Sequence, residues 1–152
     1  MTLTHIRPLT SDDYDQWRGL YQGYADFYQL ALTKDGVQTT WSWLNDDGHV
    51  CTGLVAEQRS QLVGLTHFRG MPSPLRGQMI GFLDDLFVLP DHRSGGVAVA
   101  LIRAVQAEAK AQGWGVVRWI TRDHNYRARG LYDKLAEKTD WVLYEMTEMA
   151  AK

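Results

Sequence analysis

Three short segments of this sequence contain residue types that can move protons or bind an anion. Adjacent carboxylates, Asp84 and Asp85, lie in an apolar run that is typical of a β-strand. Successive side chains of a strand point to opposite faces, so we expect only one carboxylate to face any one site. A glycine pair, Gly95 and Gly96, follows that run, and Tyr132 ends a third segment. Carboxylates accept protons, phenols donate them, and glycine-rich turns bind anions.

The segment 87–98 has the order strand, tight turn and helix start. Unpaired N–H groups and the helix dipole favour an anion there, and Gly95 and Gly96 have no Cβ to obstruct it. Arg93 can add a charged contact or hold the turn; a plain strand-to-helix turn is the alternative. The Gly-Lys-Ser/Thr of a nucleotide loop and the Gly-x-Gly-x-x-Gly of a dinucleotide loop are both missing. These residues therefore predict an anion site without naming the ligand.

Hydrophobic periodicity predicts the elements that position these segments. An aromatic stripe indicates the first long helix: Tyr14, Trp17, Tyr21, Tyr24 and Tyr28. Helices are also predicted at 39–45, after the glycine turn and at 125–138. Strands are predicted at 5–9, 50–56, 62–68, 78–89, 116–121 and 141–149. This order predicts one mixed α/β domain over residues 1–152.

Composition narrows the class of protein. The 152 residues are 45% hydrophobic and 22% charged, with a net charge of −2, which is ordinary for a globular domain and argues against nucleic-acid binding. The single cysteine, Cys51, lies in an apolar run and is expected to be a buried, inert thiol. The histidines lack metal-site spacing, so no metal is expected. No apolar stretch is long enough to span a membrane, and we expect a cytoplasmic protein.

Two motifs in the same order resemble the GNAT superfamily of N-acetyltransferases. The string Arg93-x-x-Gly96-x-Ala98, directly after a strand, is similar to the pyrophosphate-binding motif of that family. The string Asn125-x-x-Ala-x-x-x-Tyr132 is similar to its second signature. The sequence departs from the usual pattern at Ser94, where a glycine is common, and at Ala98. The aromatic helix is similar to a subgroup related to fungal histone and polyamine acetyltransferases. The resemblance implies a mostly antiparallel sheet of about six to seven strands, splayed at the cofactor strand and flanked by about four helices.

The resemblance also implies site residues. Acetyl-CoA would bind along one strand and the following loop, at Leu86, Phe87, Val88, Arg93, Ser94, Gly95, Gly96, Val97, Ala98, Val99 and Asn125. Tyr132 would protonate the leaving thiolate, and Asp84, ahead of Asp85, would act as the base. The first helix would supply acceptor-binding groups at Tyr24, Tyr28 and Asp26, although its aromatic stripe also fits core packing.

The expected function is transfer of an acetyl group from acetyl-CoA to a primary amine of a small molecule, polyamine or peptide. The amine would attack the thioester directly. A homodimer is a family-level expectation, and neither a nucleic-acid nor a membrane partner is expected. The alternative is a non-catalytic acyl-CoA-binding regulatory module. The presence of both Tyr132 and an acidic strand pair argues against that alternative, because a module without catalysis need not keep them.

Overall fold

A computed structural model describes residues 2–148. The chain divides into two compact units, Met1–Trp119 and Ile120–Lys152. The first unit contains the whole β-sheet and three of the four α-helices, and the second contains the last helix. The assignment of the whole chain to one domain stays a prediction.

The first unit follows the predicted element order with shifted boundaries. Its strands are β1 (His5–Pro8), β2 (Cys51–Gln58), β3 (Gln61–Ser73), β4 (Gln78–Val88) and β5 (Val117–Arg118), and its helices are α1 (Tyr14–Phe27), α2 (Lys34–Leu44) and α3 (Val97–Gln112). The second helix begins five residues earlier than the sequence suggested. The hydroxyl of Thr33 caps it by accepting a hydrogen bond from the Gly36 N–H at 3.0 Å.

The sheet has five strands in the order β1-β2-β3-β4-β5. Neighbours from β1 to β4 are antiparallel, and β5 pairs with β4 in parallel. The parallel ladder contains only two residue pairs and ends at Phe82, so β4 and β5 part beyond that point. The predicted splay next to this strand is therefore confirmed, although the strand count is lower than expected.

The predicted closing strand 141–149 is wrong for the residues that the structure describes. Residues 141–147 have no regular secondary structure, residue 148 lies in a turn, and Met149 lies outside the described residues. A strand requires a ladder of backbone hydrogen bonds, and the described sheet ends at the two-residue β5. The final helix, α4 (Tyr126–Leu135), ends three residues before the predicted boundary, where Ala136 becomes extended.

Helices cover both faces of the sheet in the first unit. On one face α1 and α2 enclose an apolar cluster that includes Trp17, Leu20, Leu65 and Phe87. On the other face α3 encloses a second cluster that includes Ala56, Val63, Val88, Val97 and Leu101. Phe87 and Val88 are consecutive in β4 and serve opposite clusters, as the alternation of a strand requires.

A β-bulge interrupts β4 next to its acidic pair. His67 of β3 pairs with Asp85, and the next residue, Phe68, pairs with Leu83. Asp84 is therefore an extra residue in β4 without a partner in the ladder. The bulge reverses the alternation of β4, so Phe82, Asp84, Asp85 and Phe87 all lie on the α1 face.

Alanine substitutions at two glycines of α1 are expected to have opposite effects on the free energy of unfolding. An added Cβ at Gly23 would lie 2.8 Å from two atoms of the Phe87 ring, whereas nothing lies within 4 Å of a Cβ at Gly19. We expect Gly23→Ala to lower the free energy of unfolding by about 1–3 kcal/mol through overpacking. The matched control, Gly19→Ala, should raise it by up to about 1 kcal/mol through helix propensity. Equal effects in urea unfolding would contradict this packing of α1 on β4.

Candidate active site

A cavity of about 530 Å³ opens on the α1 face of the sheet, and both carboxylates of β4 line it. Its wall consists of Tyr21, Thr40, Trp43, Leu44, His49, Val50, Cys51, His67, Arg69, Asp84 and Asp85. The expectation that only one aspartate would face a site is wrong, because the bulge at Asp84 places two consecutive side chains on one face. The structure therefore brings together two carboxylates where regular alternation would separate them.

Asp85 is held by groups from two neighbouring elements. Its Oδ2 lies 2.8 Å from Nδ1 of His67 on β3 and accepts a hydrogen bond from the Tyr21 hydroxyl of α1 at 3.1 Å. On the far side of the imidazole, the indole N–H of Trp17 donates to Nε2 of His67 at 2.9 Å. Trp17 and His67 are both buried. The result is a continuous hydrogen-bonded chain from the core to the cavity.

This chain determines the tautomer of His67. An indole N–H can only donate, so Nε2 of His67 must be the acceptor and carries no proton. The single proton of the imidazole is then on Nδ1, where it is donated to the Asp85 carboxylate. His67 is accordingly neutral, and Asp85 carries the charge of the pair.

The surroundings keep Asp85 ionised. Burial acts to raise the pKa of Asp85, but the hydrogen bond and the electrostatic interaction with His67, followed by hydrogen bonds from the hydroxyls of Tyr24 and Tyr21, outweigh it and lower the pKa below its usual value. Burial, followed by the negative charge of Asp85, raises the pKa of both Tyr21 and Tyr24. The two phenols therefore remain protonated donors beside a permanent carboxylate.

Asp84 has a different environment. Its carboxylate accepts hydrogen bonds from Nε of Arg69 at 3.0 and 3.2 Å, and 30% of its side chain is exposed. Burial raises the pKa of Asp84, and Asp85 adds to the rise, although Arg69 opposes it. Of the two carboxylates, Asp84 is the more accessible and the one whose pKa is closer to neutrality.

The opposite wall of the cavity consists of α2 and the start of β2. The rings of Trp43 and His49 stack at 4.9 Å with an angle of 7° between their planes. The backbone N–H of Cys51 donates to Nδ1 of His49 at 3.1 Å, so that nitrogen also carries no proton. Burial, then the charge of Asp84, raises the pKa of the Cys51 thiol. Cys51 is only partly buried and lines the cavity, so the predicted burial is wrong. The raised pKa nevertheless leaves Cys51 a poor nucleophile.

The three predicted acceptor residues of α1 have different positions. Tyr24 lies beside Asp85, and its ring is 5.8 Å from that of Tyr21 and 5.0 Å from that of Tyr28. Asp26 is exposed, and its carboxylate accepts a hydrogen bond from Gln22 of the same helix at 2.9 Å. None of the three is among the residues that line the cavity. Their role in binding the acceptor stays a prediction.

Sequence reasoning missed three residues of the cavity that matter for its chemistry: Tyr21, His67 and Arg69. Tyr21 was visible as part of the aromatic stripe. His67 and Arg69 alternate on β3 and carry polar groups within an otherwise apolar strand, which was a usable signal. Their partners lie on β4, and without the register of the sheet they could not be assigned.

The loop between β4 and α3 has the geometry of an open helix N-terminus. Gly96 is the N-cap residue of α3, with φ +84°, and as a glycine it has no side chain with which to cap the helix. A Cβ at Gly96 would meet nothing within 4 Å, so the space above the first N–H groups is open. Ser94 also has a positive φ, +68°, at the position where the resemblance would place glycine. The loop can therefore accept an anion on backbone N–H groups, as the sequence indicated.

Arg93 stabilises this loop through contacts with the end of β4 and with α1. Its Nε donates to the carbonyl oxygen of Val88 at 2.8 Å, and its guanidinium lies 5.4 Å from the ring centroids of Phe27 and Phe87. Val97 is buried, and Ala98 and Val99 are partly buried. Along β4, Phe87 and Val88 are buried and Leu86 is half-buried. The predicted cofactor strand and loop thus form one continuous segment with a fixed turn.

The second unit contains the other predicted motif. Asn125 precedes α4, accepts a hydrogen bond from the N–H of Arg129 at 3.0 Å and donates through Nδ2 to the hydroxyl of Thr121 at 3.3 Å. Tyr132 lies on α4 and is partly buried. The two residues are about two helical turns apart and so share one side of α4.

Asp85 is expected to contribute to stability in a pH-dependent way. We expect Asp85→Asn to lower the free energy of unfolding by about 2 kcal/mol at pH 7, because an amide replaces a buried charged acceptor. The folded-state pKa of Asp85 is below the ordinary value of about 3.9. The wild-type advantage should therefore be complete above about pH 4 and disappear as the pH falls through the lower folded-state pKa.

Urea unfolding of both proteins from pH 7 to acid measures this advantage, with Asp47→Asn, an exposed carboxylate, as the control. A difference between wild type and Asp85→Asn that does not change with pH would contradict a charged Asp85.

Within residues 2–148, no group of three or more His, Cys, Asp or Glu side chains has the arrangement of a metal site. Among the same residues, no helix is both long and apolar enough to cross a membrane.

Comparison with known proteins agrees with the geometry. A family model described as acetyltransferase (GNAT) family matches residues 17–136. The D-amino-acid N-acetyltransferase HPA3 of Saccharomyces cerevisiae is 28% identical over 92% of this chain and 88% of its own length. The crystal structure of a ribosomal-protein-alanine N-acetyltransferase from Brucella melitensis is 26% identical, with a TM-score of 0.79 over 95% of this chain and 99% of the other.

A further solved structure is similar in fold. The aminoglycoside N-acetyltransferase AAC(6')-Iy, in complex with CoA, has a TM-score of 0.83 over 97% of each chain at 22% identity. The family match covers most of the chain and includes both the acidic strand and the glycine loop. The chain therefore belongs to the GNAT family and is an N-acetyltransferase.

Proposed function

We propose that this protein transfers an acetyl group from acetyl-CoA to a primary amine, without a covalent enzyme intermediate. The observation that carries the proposal is the bulge of β4, because it directs the side chains of two carboxylates into the same cavity. The glycine-capped start of α3 follows a few residues later in the chain. The similar proteins with named acceptors, D-amino acids, ribosomal-protein alanine and an aminoglycoside, share an amine as the acetylated group.

The β4–α3 segment fits the CoA moiety. The open space at Gly96 and the N–H groups at the start of α3 suit a pyrophosphate, which carries negative charge and many acceptor oxygens. The parting of β4 from β5 after Phe82 supports an extended pantetheine arm along Leu86, Phe87 and Val88. Bound there, acetyl-CoA supplies an activated thioester carbonyl, which a backbone N–H near Val88 would polarise.

The acidic cavity fits the amine. An amine must lose a proton to become a nucleophile, and Asp84 is the accessible carboxylate whose raised pKa suits it to accept that proton, directly or through water. Asp85 remains ionised and holds the cation in place before deprotonation. The neutral amine forms the new C–N bond and the C–S bond of the thioester breaks. The nitrogen then loses its second proton, which replaces the proton that the leaving thiolate takes up. The raised pKa of Cys51 argues against an acyl-cysteine route.

Tyr132 and Asn125 are proposed to act on the leaving group and on the pantetheine arm. By resemblance to the family, the phenol of Tyr132 returns a proton to the leaving thiolate, and Asn125 hydrogen-bonds the pantetheine region. Tyr24 and Tyr28 extend the aromatic surface next to Asp85 and are proposed to contact the acceptor. Homodimerisation remains a proposal from the family, and the cytoplasmic location remains a proposal from the sequence.

Binding of CoA depends on the loop in a way that a matched pair of glycines can test. Gly96 and Gly113 cap opposite ends of α3 with similar positive φ, +84° and +77°. Alanine at either position should cost about 1–2 kcal/mol of stability through backbone strain. Only Gly96→Ala adds a Cβ at the proposed phosphate site, and it should weaken CoA binding roughly tenfold or more. Calorimetric titration with CoA measures this, and equal affinities of the two variants would remove the loop from the binding site.

Acceptance of the amine proton depends on Asp84. We expect Asp84→Asn to lower kcat/KM for the amine about a hundredfold, because loss of a general base typically costs that much or more. The KM for acetyl-CoA should change little. Asp12→Asn, an exposed carboxylate in the turn before α1, is the control. Steady-state release of free CoA gives both constants, and full activity of Asp84→Asn across the pH range would remove Asp84 from the mechanism.

A further inference from the structure

The wall of the amine cavity contains a cation, Arg69, which an amine-binding site does not need. Arg69 lies on β3 two residues after His67, and its guanidinium packs 5.1 Å from the centroid of the Phe82 ring. Only its Nε is engaged, by the two oxygens of Asp84. Among residues 2–148 its two Nη groups make no hydrogen bond, and 37% of the side chain is exposed. A planar, two-pronged donor therefore remains available at the cavity wall.

The charge of the cavity can be counted from its hydrogen bonds. Asp84 and Asp85 are carboxylates, and Arg69 is a guanidinium. His67 accepts a hydrogen bond from Trp17 at Nε2, and His49 accepts one from the Cys51 N–H at Nδ1, so both imidazoles are neutral. Two negative charges and one positive charge leave a single net negative charge. That balance disfavours a polyamine, which carries several positive charges.

A simple amine does not account for the position of Arg69. A guanidinium beside the proton-accepting carboxylate repels an incoming ammonium and makes Asp84 a weaker base. This arrangement becomes favourable when the acceptor itself carries an anion close to its amine, because each charge of the acceptor then meets its opposite. In an α-amino acid only the α-carbon separates the ammonium group from the carboxylate. This short spacing matches Asp84 and Arg69, whose opposite charges are in direct contact.

We propose that the acceptor is an α-amino acid, whose ammonium group lies at Asp84 and Asp85 and whose carboxylate is bound by the Nη groups of Arg69. This inference rests on the N-acetyltransferase function proposed above and assigns Arg69 as the residue that determines specificity. The cavity volume of about 530 Å³ leaves room for the amino-acid side chain, which would pack against the rings of Tyr21 and Trp43.

Matched acceptors test the proposal. Acetyl transfer from acetyl-CoA should be measured with phenylalanine, both enantiomers, against phenethylamine and phenylalanine amide, and with lysine against cadaverine. The members of each set differ at the carboxylate and keep the amine. We expect the amino acid to exceed its decarboxylated or amidated partner by about tenfold or more in kcat/KM, because a charged hydrogen-bonded pair is lost. Equal or better use of phenethylamine or cadaverine would overturn the proposal.

Variants separate a carboxylate-binding role of Arg69 from a purely structural one. Arg69→Gln also removes the partner of the Asp84 carboxylate and should change the rate with every acceptor. The readout is therefore the ratio of kcat/KM for an amino acid to that for its decarboxylated partner, which should fall about tenfold, mainly through a higher KM for the amino acid. Arg69→Lys should restore part of the preference, because it keeps the charge and loses the planar pair of donors. Arg76→Gln, in an exposed turn, is the control. An equal loss for all acceptors in both Arg69 variants, with unchanged thermal unfolding, would show that Arg69 only holds Asp84.

Failure of this inference is distinguishable from failure of the proposed function. If no amine is acetylated, the N-acetyltransferase proposal fails and the inference fails with it. If amines without a carboxylate are acetylated as well as amino acids are, the enzyme function holds and only the assignment of Arg69 and of the acceptor class is wrong.

Discussion

The extra residue in β4 is the constraint on which the rest of the site depends. Without the bulge, alternation would place Asp84 and Asp85 on opposite faces of the sheet, and one carboxylate would be buried under α3. With it, both carboxylates face the α1 side, while Leu86 and Val88 still reach the α3 cluster and Phe87 the α1 cluster. A single inserted residue thus places two carboxylates in the cavity. The apolar residues that follow them directly, 86–88, are suited to an extended ligand.

The bulge would be costly without the hydrogen bonds that surround it. A buried carboxylate needs several donors to remain ionised, and Asp85 receives them from His67 and Tyr21, with Tyr24 close by. Trp17 fixes His67 in the tautomer that donates to Asp85, so the core of α1 sets the charge state of the cavity. The aromatic stripe of α1 therefore belongs both to the hydrophobic core and to the candidate active site. Its rings pack in sequence from Tyr14 to Tyr28, and two of its phenols face the acid.

The sequence predicted the elements and motifs well because these depend on local chemistry. The glycine turn before α3, the aromatic helix and the acidic strand were all read correctly from residue type and spacing. The pairing of Arg69 with Asp84 and of His67 with Asp85 was not predictable, since it depends on the register between β3 and β4 and on the bulge. The closing strand was predicted at 141–149, where the segment begins with four apolar residues. An apolar run indicates that a segment can pair but does not supply the neighbouring strand, and Trp141 and Tyr144 are 82% and 88% exposed.

The central claim is that the cavity next to β4 delivers an amine to an acetyl thioester. The most direct test incubates the protein with acetyl-CoA and a panel of amino acids, peptides, aminoglycosides and polyamines, and follows the products by mass spectrometry. The account predicts at least one amine that gains the mass of one acetyl group, with an equal amount of free CoA released. Tight binding of CoA without an acetylated product from any amine of the panel would contradict it and favour a non-catalytic acyl-CoA-binding module.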